Sequence, residues 1–256
     1  MTASFEERLE RAERGGPAEI RQLVHDPALE VLDALLRNPF LSEEHLLTLL
    51  YRKDLPRELL EAVASHEQWA QSPRVRVALV EHPRTPRLLA LRLVKFLYLF
   101  DLVNVALQPA APAEIKRLAE DQIINRAPQL ALGQQVALAR RGTARVVAAL
   151  LLEGLGPVIG PGLDNPLLTE GAVLGLLRRD DLAEELVEKI AKHRKWSVRY
   201  DVRLQLVRHP LTPLGVALGF LGDLKVGDLK IIARDKRMRP EMRGYVRAEV
   251  ERRLKR

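Results

Sequence analysis

The chain contains no cysteine, and only 4% of its 256 residues are aromatic. The absence of cysteine excludes disulfide bonds, cysteine-ligated zinc, iron–sulfur clusters and a thiol nucleophile. The first residues lack the basic head and apolar stretch of a secretory signal. We therefore expect a cytoplasmic protein.

Long uncharged apolar runs are also lacking. The two most apolar segments, residues 88–107 and 146–163, are interrupted by charges such as Asp101 and Glu153. A charge near the centre of a membrane-spanning helix costs about 2.5–3.5 kcal/mol. These segments are therefore expected to be buried helices, with no membrane span.

What the sequence does contain is helical periodicity. Residues 44–50 and 57–63 place apolar side chains three and four positions apart, and convincing alternation typical of strands is absent. A small polar residue, a proline or both precede many of these segments and predict helix starts. Such starts are predicted at Ser42, Ser72-Pro73, Thr85-Pro86, Thr169 and Thr212-Pro213.

The second half of the chain resembles the first. Residues 38–107 align without a gap with residues 165–234, and about 30 of the 70 positions are identical, far above the roughly 6–8% expected from ordinary composition. Matched segments in this internal alignment include Asn38-Pro39 and His82-Pro83-Arg84-Thr85-Pro86, which recurs as His209-Pro210-Leu211-Thr212-Pro213. The sequence therefore predicts a tandem duplication.

Weaker matches extend the internal alignment, in the same register, towards both ends of the chain. This predicts two halves, residues 1–127 and 128–256. Within each half the proline corners fit two-helix units of about 22–28 residues. A unit of this size cannot bury its apolar face alone, so neighbouring units must stack.

These corners resemble those of the leucine-rich repeat variant family. The resemblance lies in the His-Pro-x-Thr-Pro corner before the leucine-rich helix at 82–91, and in the helix with Val75-Arg76 that ends in His82-Pro83. It is clear over 38–121 and 165–222. The prototype of that family carries an iron–sulfur cluster on cysteines, which cannot be transferred to a chain without cysteine.

The resemblance implies an all-helical solenoid related in shape to HEAT and armadillo arrays. Together with the internal repeat, it predicts an all-α fold: a right-handed α-solenoid of stacked two-helix repeats, built from a tandem duplication of about 127 residues. It also implies a binding role, without naming a ligand.

The histidines and the glycine-rich segment give weak chemical signals. His66, His193, His82 and His209 recur in both halves, but no compact metal-ligand spacing surrounds them. We expect them at helix ends and proline corners, with no metal and no cofactor. The segment 154–162 does not match a phosphate-binding loop, and we expect a loop or joint at 154–164.

The tryptophans and a basic stretch are the candidate binding residues. Trp69 and Trp196 occupy equivalent positions, as do Arg76 and Arg203. Flat rings and cations together are typical of single-strand binding, although a packing role for the rings and a solvated face for the cations are the simpler interpretations. The cations beside Trp196 are Lys192, Arg194, Lys195, Arg199 and Arg203.

Most of the net charge of +7 comes from the C-terminal segment. Residues 234–256 hold 10 Lys and Arg against 4 Asp and Glu. This segment supplies the other candidates, Arg237, Arg239 and Arg243. Part of the excess would also suit the negative end of a helix.

Three functions are compatible with these features. We expect a non-enzymatic scaffold that binds another protein through a concave face formed by the second helix of each repeat. The alternative is a nucleic-acid-binding protein that uses the basic segments 189–203 and 234–256. A less favoured third possibility is an enzyme similar to the helical-repeat DNA glycosylases, with Asp101 or Asp228 as its carboxylate.

Overall fold

A computed structural model describes residues 3–236 and 238–255. Eighteen α-helices and two short 3-10 helices form this part of the chain, which contains no strand. The all-helical prediction is confirmed. The chain divides into two compact units, Met1–Ile123 (unit 1) and Ile124–Arg256 (unit 2).

Unit 1 contains eight complete helices and most of a ninth. They are α1 (Phe5–Arg14), α2 (Pro17–Leu23), α3 (Leu29–Leu36), α4 (Glu43–Leu50), α5 (Arg57–Ser65), α6 (Pro73–Glu81), α7 (Arg87–Val94), α8 (Leu99–Leu107) and α9 (Ala113–Arg126). A 3-10 helix, Trp69–Gln71, lies between α5 and α6. The division between the units falls inside α9.

Unit 2 contains the remaining helices. They are α10 (Leu132–Arg141), α11 (Ala144–Leu152), α12 (Gly156–Leu163), α13 (Glu170–Leu177), α14 (Glu184–Lys192), α15 (Tyr200–Arg208), α16 (Leu214–Leu221), α17 (Val226–Ile232) and α18 (Pro240–Leu254). They follow a 3-10 helix, Ala127–Gln129.

Within each unit the helices form two layers. In unit 1, α1 packs on α3 and α3 on α5, while α4 packs on α6 and α6 on α8. Unit 2 repeats this arrangement: α12 lies between α10 and α14, and α13 lies between α11 and α15. Each of these pairs joins helices two places apart in the chain, as expected when two-helix elements stack side by side.

Buried asparagines join successive helix pairs. The Nδ2 of Asn38 donates to the carbonyls of Ala12 at 2.8 Å and Gly15 at 3.0 Å. The Nδ2 of Asn165 donates in the same way to Ala139 at 2.8 Å and Gly142 at 3.2 Å. Carbonyls at a helix C-terminus have no partner within the helix, so each asparagine supplies the missing donors.

Three of the predicted helix starts are confirmed. Ser42, Ser72 and Thr169 each accept a hydrogen bond from the backbone N–H three residues later. Helices also start directly after Thr85-Pro86 and Thr212-Pro213, but the threonines do not cap them. The Thr85 hydroxyl donates instead to the carbonyl of Leu79 at 2.6 Å, and Thr212 is buried. Pro86 and Pro213 hold extended ψ angles of 133° and 132°, so α7 and α16 begin one residue beyond them.

The loop predicted at 154–164 is also wrong, because residues 156–163 form helix α12. Gly154, with a φ of 68°, makes the turn that ends α11, and Pro157 lies in the first turn of α12, where its missing N–H costs nothing. The side chains of Val158, Ile159 and Leu163 are almost completely buried. Burial of this apolar face outweighs the low helix propensity of the glycines and prolines.

The asparagine bonds make a testable contribution to stability. Asn165→Ala removes two donors and leaves two buried carbonyls unsatisfied, which should lower the free energy of unfolding by about 1–3 kcal/mol. Urea unfolding followed by circular dichroism measures the loss. Asn104→Ala on the exposed surface of α8 is the control, and an equal loss in both variants would contradict the assignment.

Candidate binding surface

Two of the repeated histidines, His82 and His209, have both ring nitrogens bonded to the backbone. His82 lies at the end of α6, where Nε2 is 2.6 Å from the carbonyl of Arg52 and Nδ1 accepts the N–H of Arg84. His209 is bonded equivalently, with Nε2 2.9 Å from the carbonyl of Arg179. Burial lowers the pKa of His82, which favours the neutral ring that this geometry requires. The prediction of helix-end histidines is confirmed.

His66 and His193 likewise follow the last residues of α5 and α14. No group of three or more potential ligands that could hold a metal ion occurs among residues 3–236 and 238–255. No helix in the same ranges is long and apolar enough to cross a membrane.

Both tryptophans lie in the core. Trp69 is 5% exposed and Trp196 is 1% exposed. The indole N–H of Trp196 donates to the carbonyl of Leu163 at 2.9 Å, whereas that of Trp69 is buried without a partner among the described residues. Burial corrects the hypothesis that these rings form a stacking platform, because neither face is open to a base.

Arg76 and Arg203 close the turns that follow the tryptophans. The Nε of Arg76 donates to the carbonyl of Ala70 at 2.8 Å, and the Nε of Arg203 donates to the equivalent carbonyl of Ser197. Arg203 also pairs with Asp223 at 2.8 Å. These two guanidinium groups therefore have structural partners, which accounts for their presence in both halves.

The basic stretch beside Trp196 is largely neutralised by carboxylates. Lys192 pairs with Glu188, and Arg199 lies 3.6 Å from Glu170. The ammonium group of Lys195 lies 4.2 Å from the ring centre of Trp196 and donates to a backbone carbonyl. Arg194 is exposed and has no hydrogen bond or ion pair within the described part of the chain. The predicted cations thus lie near each other without forming a continuous free positive surface.

The C-terminal arginines are also bound within the protein. Arg239, which precedes α18, donates to the carbonyl of Thr212, and Arg243 donates to that of Met238 at 3.1 Å. Arg237 lies outside the described residues. Arg253, which was not among the predicted residues, donates to three carbonyls at the end of α16, those of Leu221, Gly222 and Leu224.

An open groove lies across α4, α6 and α8, and sequence reasoning missed it. This unit 1 groove has a volume of about 440 Å³ and combines apolar, acidic, basic and aromatic groups. It is lined by Leu47, Pro73, Arg74, Val77, Ala78, Glu81, Tyr98 and Asp101.

Exposed aromatic rings adjoin the unit 1 groove. Tyr98, 65% exposed, lines it, and Tyr51, 82% exposed, follows Leu47 by four positions and so continues the same face of α4. Lys53 lies near both Tyr51 and Glu81. Its ammonium group is 5.5 Å from the ring centre of Tyr51, and its positive charge acts to lower the pKa of Glu81. Burial raises the pKa of Glu81, the charge of Lys53 opposes this, and the charge of Asp101 adds to it.

A sequence signal for this surface existed in the differences between the halves. In the internal alignment, Tyr51, Phe96, Tyr98 and Phe100 correspond to Arg178, Asp223, Lys225 and Gly227. All four aromatic side chains are exposed. Residues that differ between the halves mark the surface better than the shared residues, which serve packing.

Comparison with known proteins gives no match to a family model, to a curated protein or to a solved structure.

The two tryptophans provide a matched test of the buried indole bond. Phenylalanine at either position removes the same volume, but only Trp196→Phe also removes a hydrogen bond. We expect Trp196→Phe to lower the free energy of unfolding by about 1 kcal/mol more than Trp69→Phe. Urea unfolding of both variants measures the difference, and equal losses would disprove the role of the bond.

Glu249 gives a pH test of the C-terminal helix. Hydrogen bonds from Arg252 and Arg253 lower its pKa from 4.5 to about 2. Because the folded pKa is the lower one, its stabilisation is complete above pH 4.5 and is lost as the pH falls through about 2. Glu249→Gln should therefore weaken the dependence of stability on pH between these values, as measured by urea unfolding at a series of pH values.

Glu251→Gln is the control for this test, because Glu251 is exposed on the same helix and has no ion pair among the described residues. If the stability of the Glu249→Gln variant depends on pH as steeply as that of the Glu251→Gln variant, the contribution assigned to Glu249 is excluded.

Proposed function

We propose that this chain is a non-enzymatic helical-repeat scaffold that binds a protein partner. The observation that carries the proposal is the aromatic surface of unit 1, where Tyr98 lines the open unit 1 groove and exposed Tyr51 lies four positions after Leu47, another lining residue. Aromatic residues are enriched at protein interfaces and often supply most of the binding energy. α4, α6 and α8 are the second helices of their repeats, the face expected to be concave.

The proposed architecture is a right-handed α-solenoid of the leucine-rich repeat variant or HEAT-like type, produced by tandem duplication. Two observations support it: the two-layer packing within each unit, and side-chain bonds that recur at aligned positions of the two halves. Asn38 and Asn165 bond equivalent carbonyls, as do His82 and His209.

A protein partner is favoured over nucleic acid because most cations of the basic stretch beside Trp196 already form ion pairs. A surface that binds phosphates gains affinity by releasing counterions from free cations. Lys192, Arg199 and Arg203 already contact carboxylates, so a phosphate would have to compete with them.

A capture experiment tests this function. The full chain, immobilised as bait, should capture a protein partner that rebinds as a purified component with simple stoichiometry. Tyr51→Ala combined with Tyr98→Ala should weaken this affinity at least about tenfold, since central aromatic anchors commonly contribute this much.

Tyr245→Ala, at an exposed aromatic position in α18, is the matched control and should leave the affinity unchanged. Absence of a partner, or binding that the double variant does not affect, would overturn the proposal. Strongly salt-dependent binding of a labelled oligonucleotide, lost in Arg194→Glu, would favour nucleic acid instead.

A further inference from the structure

Most positions that line the unit 1 groove carry different side chains in unit 2. In the internal alignment, three lining positions of the unit 1 groove carry smaller side chains than their counterparts in unit 2. Pro73 corresponds to Tyr200, Val77 to Leu204 and Ala78 to Gln205. Two lining residues are unchanged, because Leu47 corresponds to Leu174 and Asp101 to Asp228.

In unit 2 a tyrosine of the same chain occupies this position. The Tyr200 hydroxyl donates to the carboxylate of Asp228 and accepts the backbone N–H of Lys225 at 3.0 Å. The ring is partly buried against the core, and the ammonium group of Lys225 lies 5.4 Å from its centre. Burial, followed by the bond to Asp228, raises the pKa of Tyr200, so the hydroxyl keeps the proton that it donates.

In unit 1 the same two bonding groups remain, but no tyrosine of the chain reaches them. Asp101 corresponds to Asp228, and the N–H of Tyr98 corresponds to that of Lys225. Neither the Asp101 carboxylate nor the Tyr98 N–H has a hydrogen-bond partner within residues 3–236 and 238–255. Pro73 is too short to span the groove, which is open.

We infer that the unit 1 groove receives a tyrosine side chain of the protein partner, in the position that Tyr200 takes in unit 2. The partner's hydroxyl donates to Asp101 and accepts the N–H of Tyr98, while its ring packs on Val77 and Ala78. The inference rests on the proposed function and names the group that the scaffold recognises.

The charges of the groove add a second specificity. Glu81 and Asp101 are near enough to influence each other electrostatically, and Glu81 replaces the arginine, Arg208, that unit 2 has at this position. Two carboxylates repel a phosphate group. Arg74 also lines the groove but lies 3.7 Å from Glu43, which partly neutralises it. Phosphorylation of the partner's tyrosine should therefore weaken docking.

Small tyrosine analogues test the site directly. N-acetyltyrosinamide is titrated into the 15N-labelled full chain, and amide shifts are followed by NMR. We expect saturable shifts at Val77, Ala78, Tyr98 and Asp101. N-acetylphenylalaninamide, which lacks the hydroxyl, should bind about two- to tenfold more weakly, and the phosphotyrosine analogue should bind more weakly than the tyrosine compound.

Pro73→Tyr tests whether the groove can be filled from within, as in unit 2. It should abolish the shifts, whereas Pro73→Ala, which removes proline without filling the groove, should keep them. Asp101→Ala is a second test that does not depend on the folding of Pro73→Tyr, and it should weaken binding about two- to tenfold. Tyr200→Phe should leave binding in unit 1 unchanged.

The outcomes separate the two proposals. Three outcomes would overturn the tyrosine site. They are the absence of amide shifts in unit 1, equal affinity for the tyrosine and phenylalanine compounds, and binding that neither Pro73→Tyr nor Asp101→Ala affects. A captured partner whose affinity is unchanged by Pro73→Tyr would overturn it while leaving the scaffold function intact. Specific analogue binding without any captured partner would overturn the scaffold function alone.

Discussion

The helices of this protein are short, and short helices leave a large share of their backbone carbonyls without an internal partner. The structure meets this need with side chains that lie far along the chain from the carbonyls they bond. Asn38 and Asn165 bond carbonyls near the ends of α1 and α10, and Trp196 bonds the last residue of α12. Each such bond satisfies one helix end and holds the next helix pair against it, so the stacking of the layers depends on them.

This constraint explains why several polar residues shared by the two halves are bonded within the protein. A histidine whose two nitrogens are both bonded to the backbone, as in His82, has no nitrogen left for a metal or a substrate. Arg76 and Arg203 are similarly bound to the turns that follow the tryptophans. Shared identity at these positions therefore reflects packing. The proposed site depends instead on a position where the halves differ, Pro73 against Tyr200.

The contrast between those two positions gives the unit 1 groove its proposed role. In unit 2 a tyrosine completes the hydrogen bonding of Asp228 from within the chain. In unit 1 the matching carboxylate has no hydrogen-bond partner among the described residues and lies in an open groove that Tyr98 also lines. Under the proposal, the filled position contributes to stability and the open one to binding.

The sequence by itself determined the helical class, the internal repeat and the side chains that end the helices, because these depend on local periodicity and capping. Only tertiary structure decided the state of residues 156–163, where burial of Val158 and Ile159 forms a helix against local propensity. It also decided that Trp196 is a core residue and that most nearby cations are paired. The burial of Trp196 and the pairing of Arg199 with Glu170 depend on residues about 30 positions away in the chain, which local spacing does not reveal, whereas Lys192 and Glu188 are four positions apart on one helix.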